Sequence, residues 1–178
     1  MNNHILRSSC ATAILVVAGS LAGHASDLPG SKDPGFLKRY AGSEIIGYRT
    51  RSFDQYMMSR QANFGQTEKV EGAATRAIYL VPPGHTGIEI ERNYQSALAD
   101  AGFTQTFTSE MLDPYWVVTW LRPFVNQLGD TYDPVGLCNS IRYFTAKVTK
   151  NAQDLSVAVM VCETAPTAFL RRPKPESA

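Results

Sequence analysis

The sequence contains three histidines, and His85 is the one that follows the first 25 residues. It lies directly before a predicted helix, where an imidazole could act as a general base or contact an anion beside free backbone N–H groups. The alternative is an exposed residue that packs against Ile90 in the first helical turn. Because the neighbouring sequence supplies no nucleophile together with an orienting acid, we predict no catalytic residue.

Scattered carboxylates are the other candidates for acid–base chemistry: Glu89, Glu91, Glu110 and Asp113. Paired carboxylates need a defined separation to act as acid and base, and the sequence gives no such distance, so solvated surface is the alternative. One histidine and two cysteines do not make a usual zinc site, and no calcium-loop spacing or phosphate-binding glycine motif is present. The sequence therefore predicts no metal and no cofactor.

An aromatic cluster is the strongest candidate for binding. It comprises Tyr115, Trp116, Trp120 and Phe124 within ten residues. Such a cluster either packs on a sheet or forms an exposed patch for a partner protein, a glycan or the inner leaflet of an outer membrane. A third alternative is a small-ligand pocket lined by Trp116 and Trp120.

The first 25 residues have the pattern of a secretory signal peptide. Arg7 provides a positive start, residues 11–21 are mostly apolar, and Gly23 and Ala25 are the small residues that a signal peptidase accepts. The apolar stretch is shorter than the ~20 residues that span a bilayer, and Cys10 precedes it, which does not fit a lipoprotein signal. We predict cleavage after Ala25 and no transmembrane segment in the processed chain.

Cys138 and Cys162 are the cysteines that remain after this cleavage. In an oxidising compartment two cysteines favour one disulfide, which would stabilise the fold by about 3 kcal/mol if it is unstrained. Two buried thiols are the alternative.

Charge excludes one class of partner. The chain has 17 basic and 16 acidic residues, and Arg7 is the one charged residue of the predicted leader, so the processed chain is formally neutral. Without a basic excess there is little to bind a nucleic-acid backbone, and we predict no nucleic-acid partner.

Periodicity predicts strands and helices, and the Gly, Pro and charged residues from 26 to 41 predict an irregular lead-in. Strands are predicted at residues 44–51, 67–81, 103–109, 140–150 and 155–162, with an irregularity at Gly72. A capped helix begins after Thr86 and ends before Gly102, and residues 113–129 predict a second helix that Pro123 kinks or breaks. Glu91, Arg92 and Asp100 are expected on the solvent face of the first helix, and Tyr94 in the core.

Several short sequences resemble one family. They include residues 27–33, 42–46, 53–56, 82–84, 92–94 and 101–103. Together these residues resemble an uncharacterised domain of proteobacterial envelope proteins that often precedes an OmpA-type peptidoglycan-binding domain. The resemblance implies location and architecture rather than a reaction. It departs in two respects: no OmpA-type part is recognised here, and Thr108, Ser109 and Glu110 supply no cysteine where many relatives carry a pair.

These patterns predict an α+β fold of order β-β-α-β-α-β-β, with a mainly antiparallel sheet and helices on one face. We expect a signal peptide at 1–25, one domain at 26–163 and a disordered proline-rich basic tail at 164–178. The expected function is a non-enzymatic binding or accessory role in the periplasm, with an envelope protein or a cell-wall or outer-membrane component as partner. Alternatives are secretion into the medium, a hydrolase using paired carboxylates or His85, and an apolar-ligand carrier.

Overall fold

The computed structural model describes residues 9–18, 27–61, 65–109 and 138–164. They form a six-stranded sheet and one helix: β1 (Ser9–Ala18), β2 (Glu44–Ser59), β3 (Thr67–Val81), α1 (Gly87–Asp100), β4 (Thr104–Ser109), β5 (Cys138–Lys150) and β6 (Gln153–Thr164). The predicted sheet-rich α+β class is confirmed. The order of elements differs from the predicted one, because β1 precedes β2, the first strand that the sequence predicted. The predicted second helix, at residues 113–129, and the tail from residue 165 lie outside the described residues.

The strand order in the sheet is β2-β3-β1-β6-β5-β4. β1 pairs in parallel with β3 on one side and with β6 on the other. The other three pairs, β2–β3, β4–β5 and β5–β6, are antiparallel. The sheet is therefore mixed, with its parallel part at the centre.

The new strand, β1, lies within the residues that the sequence predicts to be a signal peptide. Its side chains Ile14 and Val16 are 2% and 0% exposed and belong to the main hydrophobic core. Cleavage after Ala25 remains a prediction, and it would remove a central strand from this sheet.

Helix α1 is positioned by the caps that the sequence predicts. The N–H of Glu89 donates to the hydroxyl oxygen of Thr86 at 3.3 Å. At the other end Gly102 has φ +87°, its N–H donates to the Ala99 carbonyl, and the N–H of Phe103 donates to the Leu98 carbonyl. This pair of hydrogen bonds is the Schellman motif, which requires a left-handed residue at the Gly102 position.

One face of the sheet packs against α1. The apolar stripe of the helix, Ile90, Tyr94 and Leu98, is buried against alternate residues of the central strands. On β6 these are Val157, Val159 and Val161. The predicted alternation of β6 is therefore confirmed, and its odd-numbered face is the one beneath the helix.

The opposite face of the sheet is also buried, with Ala158, Met160 and Cys162 at most 4% exposed. The outer part of the β2–β3 hairpin, which we call the arm (residues 54–61 and 65–72), contributes to this. A register shift between Arg51 and Asp54 marks a bulge beside Gly72, which has φ +148°. Beyond it, the Ser59 N–H donates to the Tyr143 hydroxyl of β5 at 3.2 Å, so the arm crosses the face.

A disulfide joins Cys138 of β5 to Cys162 of β6, with 5.3 Å between the Cα atoms. The turn of this hairpin consists of Asn151 and Ala152, with φ of 53° and 60°. Two consecutive left-handed residues are typical of the two-residue turn that matches strand twist. The disulfide thus links the two strands of the β5–β6 hairpin at the end opposite the turn.

Among the described residues, no helix is both long and apolar enough to cross a membrane.

We expect the Gly102→Ala substitution to lower the free energy of unfolding by about 1 kcal/mol, because a Cβ is disfavoured at positive φ. No heavy atom lies within 4 Å of that Cβ, so the loss is a backbone effect rather than a clash. Urea unfolding measures it. Gly35→Ala is the control, since this Cβ also meets open space and Gly35 has no positive φ, and a loss of equal size there would contradict the explanation.

Candidate functional site

His85 lies at the entry to α1, in a cluster with Tyr40 and Glu89. The His85 Nδ1 atom is 3.0 Å from the Tyr40 hydroxyl and 3.1 Å from Glu89 Oε1. The Tyr40 hydroxyl also donates to Glu89, which lowers the pKa of that carboxyl and raises the pKa of the tyrosine. The three groups hydrogen bond to one another, and they attach the lead-in to the helix.

Arg39 holds the lead-in beside this cluster. Its guanidinium donates two hydrogen bonds to Asp27, at 2.5 and 2.7 Å, and one to Asp33 at 2.9 Å. These bonds hold the pKa of Asp27 below its usual value and raise that of Arg39. Asp27 also accepts the Ile45 N–H at 2.9 Å, so this carboxylate joins the lead-in to the start of β2.

Two tyrosines connect this network to the core. The Tyr79 hydroxyl donates to Asp33 at 2.8 Å. Burial and the nearby Asp33 carboxylate raise the pKa of Tyr79. Tyr94 is fully buried in the core, as predicted, and its hydroxyl accepts the Tyr40 N–H at 3.2 Å. Burial raises the pKa of Tyr94 to about 12, so both groups remain neutral hydrogen-bonding partners.

The carboxylates proposed as acid–base partners do not come together. Glu91 is 4% exposed, not on the solvent face as predicted, and its carboxylate pairs with Arg142 of β5 at 3.0 Å. The prediction was wrong because periodicity along one helix cannot show a cation on a neighbouring strand. Arg92 and Asp100 are exposed as predicted. Glu110 and Asp113 lie outside the described residues.

The predicted aromatic surface, Tyr115, Trp116, Trp120 and Phe124, also lies outside the described residues. It therefore stays a prediction. Within the part of the chain that the structure describes, no three His, Cys, Asp or Glu side chains are grouped so that they could hold a metal ion.

The structure instead shows an open cleft at the end of the sheet where β1 begins. Its volume is about 1080 Å³, and β3, the β5–β6 hairpin and the bulge of β2 line it. Phe53, at the bulge, lines the cleft and is 70% exposed. Residues 67–72 of β3 pair with β2 on one side, and no described strand pairs with their other edge.

Charged side chains in the cleft pair with one another. Glu68 of the arm accepts hydrogen bonds from Lys147 of β5 and from Arg60, and Lys69 pairs with Glu71 at 2.7 Å. Burial raises the pKa of Glu68, but the hydrogen bonds from Lys147 and Arg60 outweigh this, and its pKa is lowered. Opposite charges therefore already meet in the cleft, beside an edge of β3 with which no described strand pairs.

Sequence reasoning missed the cleft and the buried Arg76, which is 4% exposed and pairs with Asp54 at 3.0 Å. The sequence predicted a strand at residues 67–81, which contains Arg76, without showing that Asp54 of the arm pairs with it. No local signal identifies Glu68 and Lys147 as partners, since 79 residues separate them.

We expect Asp27→Asn to lower the free energy of unfolding by about 1 kcal/mol at pH 7, a value kept small because the carboxylate is partly exposed. The Asp27 pKa is below 3.8 in the folded protein, so its contribution is fully present above that pH and is lost as the pH falls through the lower folded-state value. The difference between variant and wild type should therefore shrink under strong acid, as measured by urea unfolding across pH.

Glu44→Gln serves as the control, since Glu44 forms no ion pair with a described residue. A difference between Asp27→Asn and wild type that stays constant down to strong acid would contradict a role for the carboxylate charge.

No family model and no curated protein matches this chain.

Proposed function

We propose that this protein is exported to the periplasm, that its leader is cleaved after Ala25, and that it serves there as a non-enzymatic binding module of the cell envelope. The partner is an envelope protein or another envelope component. The resemblance to an uncharacterised proteobacterial envelope domain supports the same location.

Two observations support export. Residues 1–25 have the charge, apolar stretch and small residues of a signal peptide. Cys138 and Cys162 lie at disulfide distance, and disulfides form and persist in oxidising compartments such as the periplasm.

The cleft is the observation that carries the binding role. It is open and large enough for a short peptide, it presents the β3 edge at residues 67–72, and an exposed aromatic ring, Phe53, stands at its rim. Aromatic side chains beside an accessible strand edge are typical of sites that bind extended peptides.

The hydrolase alternative draws on the contact between His85 and Glu89. This contact supports a structural role better, because both side chains hydrogen bond to Tyr40, and the three residues join the lead-in to the helix.

Export is tested by expressing the full chain in a Gram-negative host and measuring the intact mass of the purified protein without reductant. We expect a periplasmic chain that begins at Ser26 and has Cys138 linked to Cys162. A Leu15→Arg variant, whose apolar leader stretch is interrupted, should stay in the cytoplasm at full length. Full-length wild-type protein in the cytosol, with Cys138 and Cys162 both open to alkylation, would contradict the proposal.

The binding role is tested by photocrosslinking in intact cells. A photoreactive phenylalanine analogue replaces Phe53, at the cleft, or Ile88, which is 38% exposed in the first turn of α1, at the opposite end of the helix from Gly102. We expect a discrete adduct from position 53 and not from position 88. A third probe at Trp116 tests the aromatic surface. Equal adducts at 53 and 88, or none at 53, would contradict binding at the cleft.

A further inference from the structure

The residues that form the central strand are the same residues that export would remove. β1 pairs with residues 73–81 of β3 through one edge and with residues 154–163 of β6 through the other. Removing β1 would leave a gap between these two stretches, which we call the slot. Both edges of the slot would then carry backbone groups without partners, and such groups are costly when they are buried.

Contacts that do not involve β1 hold the two sides of the slot apart. On one face, the arm joins the β2–β3 side to β5 through the hydrogen bond from Ser59 to Tyr143 and through the ion pair of Glu68 with Lys147. The Tyr143 hydroxyl also hydrogen bonds to Tyr56. These bonds connect the two halves of the sheet at the spacing that accommodates one strand.

Helix α1 spans the slot on the other face. Its Tyr94 ring lies 6.5 Å from the Tyr79 ring of β3, and its Gly87 N–H donates to the Glu163 carboxylate of β6. If β3 and β6 were to pair directly, each would have to move by about 5 Å relative to the other, the width of one strand. The contacts on both faces oppose that movement, so they favour a slot that stays open.

The apolar lining of the slot determines which kind of segment can fill it. The positions filled by Ile14 and Val16 lie among apolar core residues: Ala77, Tyr79, Val159 and Val161. Both flanking strands run parallel to the occupant. A segment that fits is extended and uncharged, with branched aliphatic side chains two residues apart.

We propose that the slot between β3 and β6 is a strand-acceptor site, filled by the leader before processing and afterwards by an extended apolar segment of an envelope partner protein. This inference rests on the proposed cleavage and names the kind of partner for the proposed binding role. The cleft continues the line of the slot beyond Ser9 and gives such a segment a route of entry. A second processed copy is not the occupant, because it has lost the segment that fits.

The test uses the processed protein purified from periplasm, with its N-terminus established by mass. A peptide with the sequence of residues 9–18, carrying Cys10→Ser and a C-terminal lysine tag for solubility, is titrated by fluorescence anisotropy. We expect one peptide per chain and new hydrogen-exchange protection of residues 73–81 and 154–163. A matched peptide with Ile14→Asp and Val16→Asp should bind at least about a hundredfold more weakly, because it would bury two charges.

Each other outcome overturns the acceptor site. Protection of both stretches without peptide, together with no binding, would show that β3 and β6 have paired directly. Self-association that excludes the peptide would make a second copy the occupant, and equal affinity for the two peptides would show binding outside the slot. A purified chain that retains residues 1–25 would overturn the proposed cleavage as well. A cleaved chain that does not bind the peptide would overturn the acceptor site alone.

Discussion

The sheet is continuous because β1 pairs with β3 on one side and with β6 on the other. No other described strand joins the two antiparallel parts, β2–β3 and β6–β5–β4. The pairing is reinforced by side chains, since Ile14 and Val16 are buried in the core beneath α1. Because backbone groups in a buried sheet need partners, this strand position has to be occupied or closed in any folded form of the protein.

Each half of the sheet has its own local constraints. The β5–β6 hairpin has a two-residue left-handed turn at one end and a disulfide at the other. The β2–β3 hairpin bends at its bulge and lays its arm across the face opposite the helix. These constraints act within each half of the sheet or between the halves, and none of these contacts involves a residue of β1.

Charged and polar groups at the N-terminus of α1 also connect the helix to the sheet and to the lead-in. Glu163 accepts the Gly87 N–H at the N-terminus of α1, where a carboxylate is favoured by free N–H groups and by the helix dipole. Glu91 pairs with Arg142, and the lead-in is held by Arg39 and Tyr40. Among the described candidates for catalysis, His85, Glu89 and Glu91 therefore connect segments of the fold.

The sequence by itself determined the features that depend on neighbours a few residues apart. The helix begins after Thr86 and ends before Gly102, and its apolar stripe is buried, as predicted. β3 spans residues 67–81 as predicted, and the side chains of β6 lie alternately on the two faces of the sheet because successive residues of a strand point to opposite faces. The disulfide was also predictable, because Cys138 and Cys162 are the two cysteines that follow the predicted leader. Tertiary structure alone decided the partners of Glu91 and Glu68, the contact of His85 with Tyr40, the fold of the arm across the second face, and the central place of β1. The physical reason is that these features arise between residues far apart in the chain, and an apolar stretch such as residues 9–18 has the same composition whether it serves as a signal or as a buried strand.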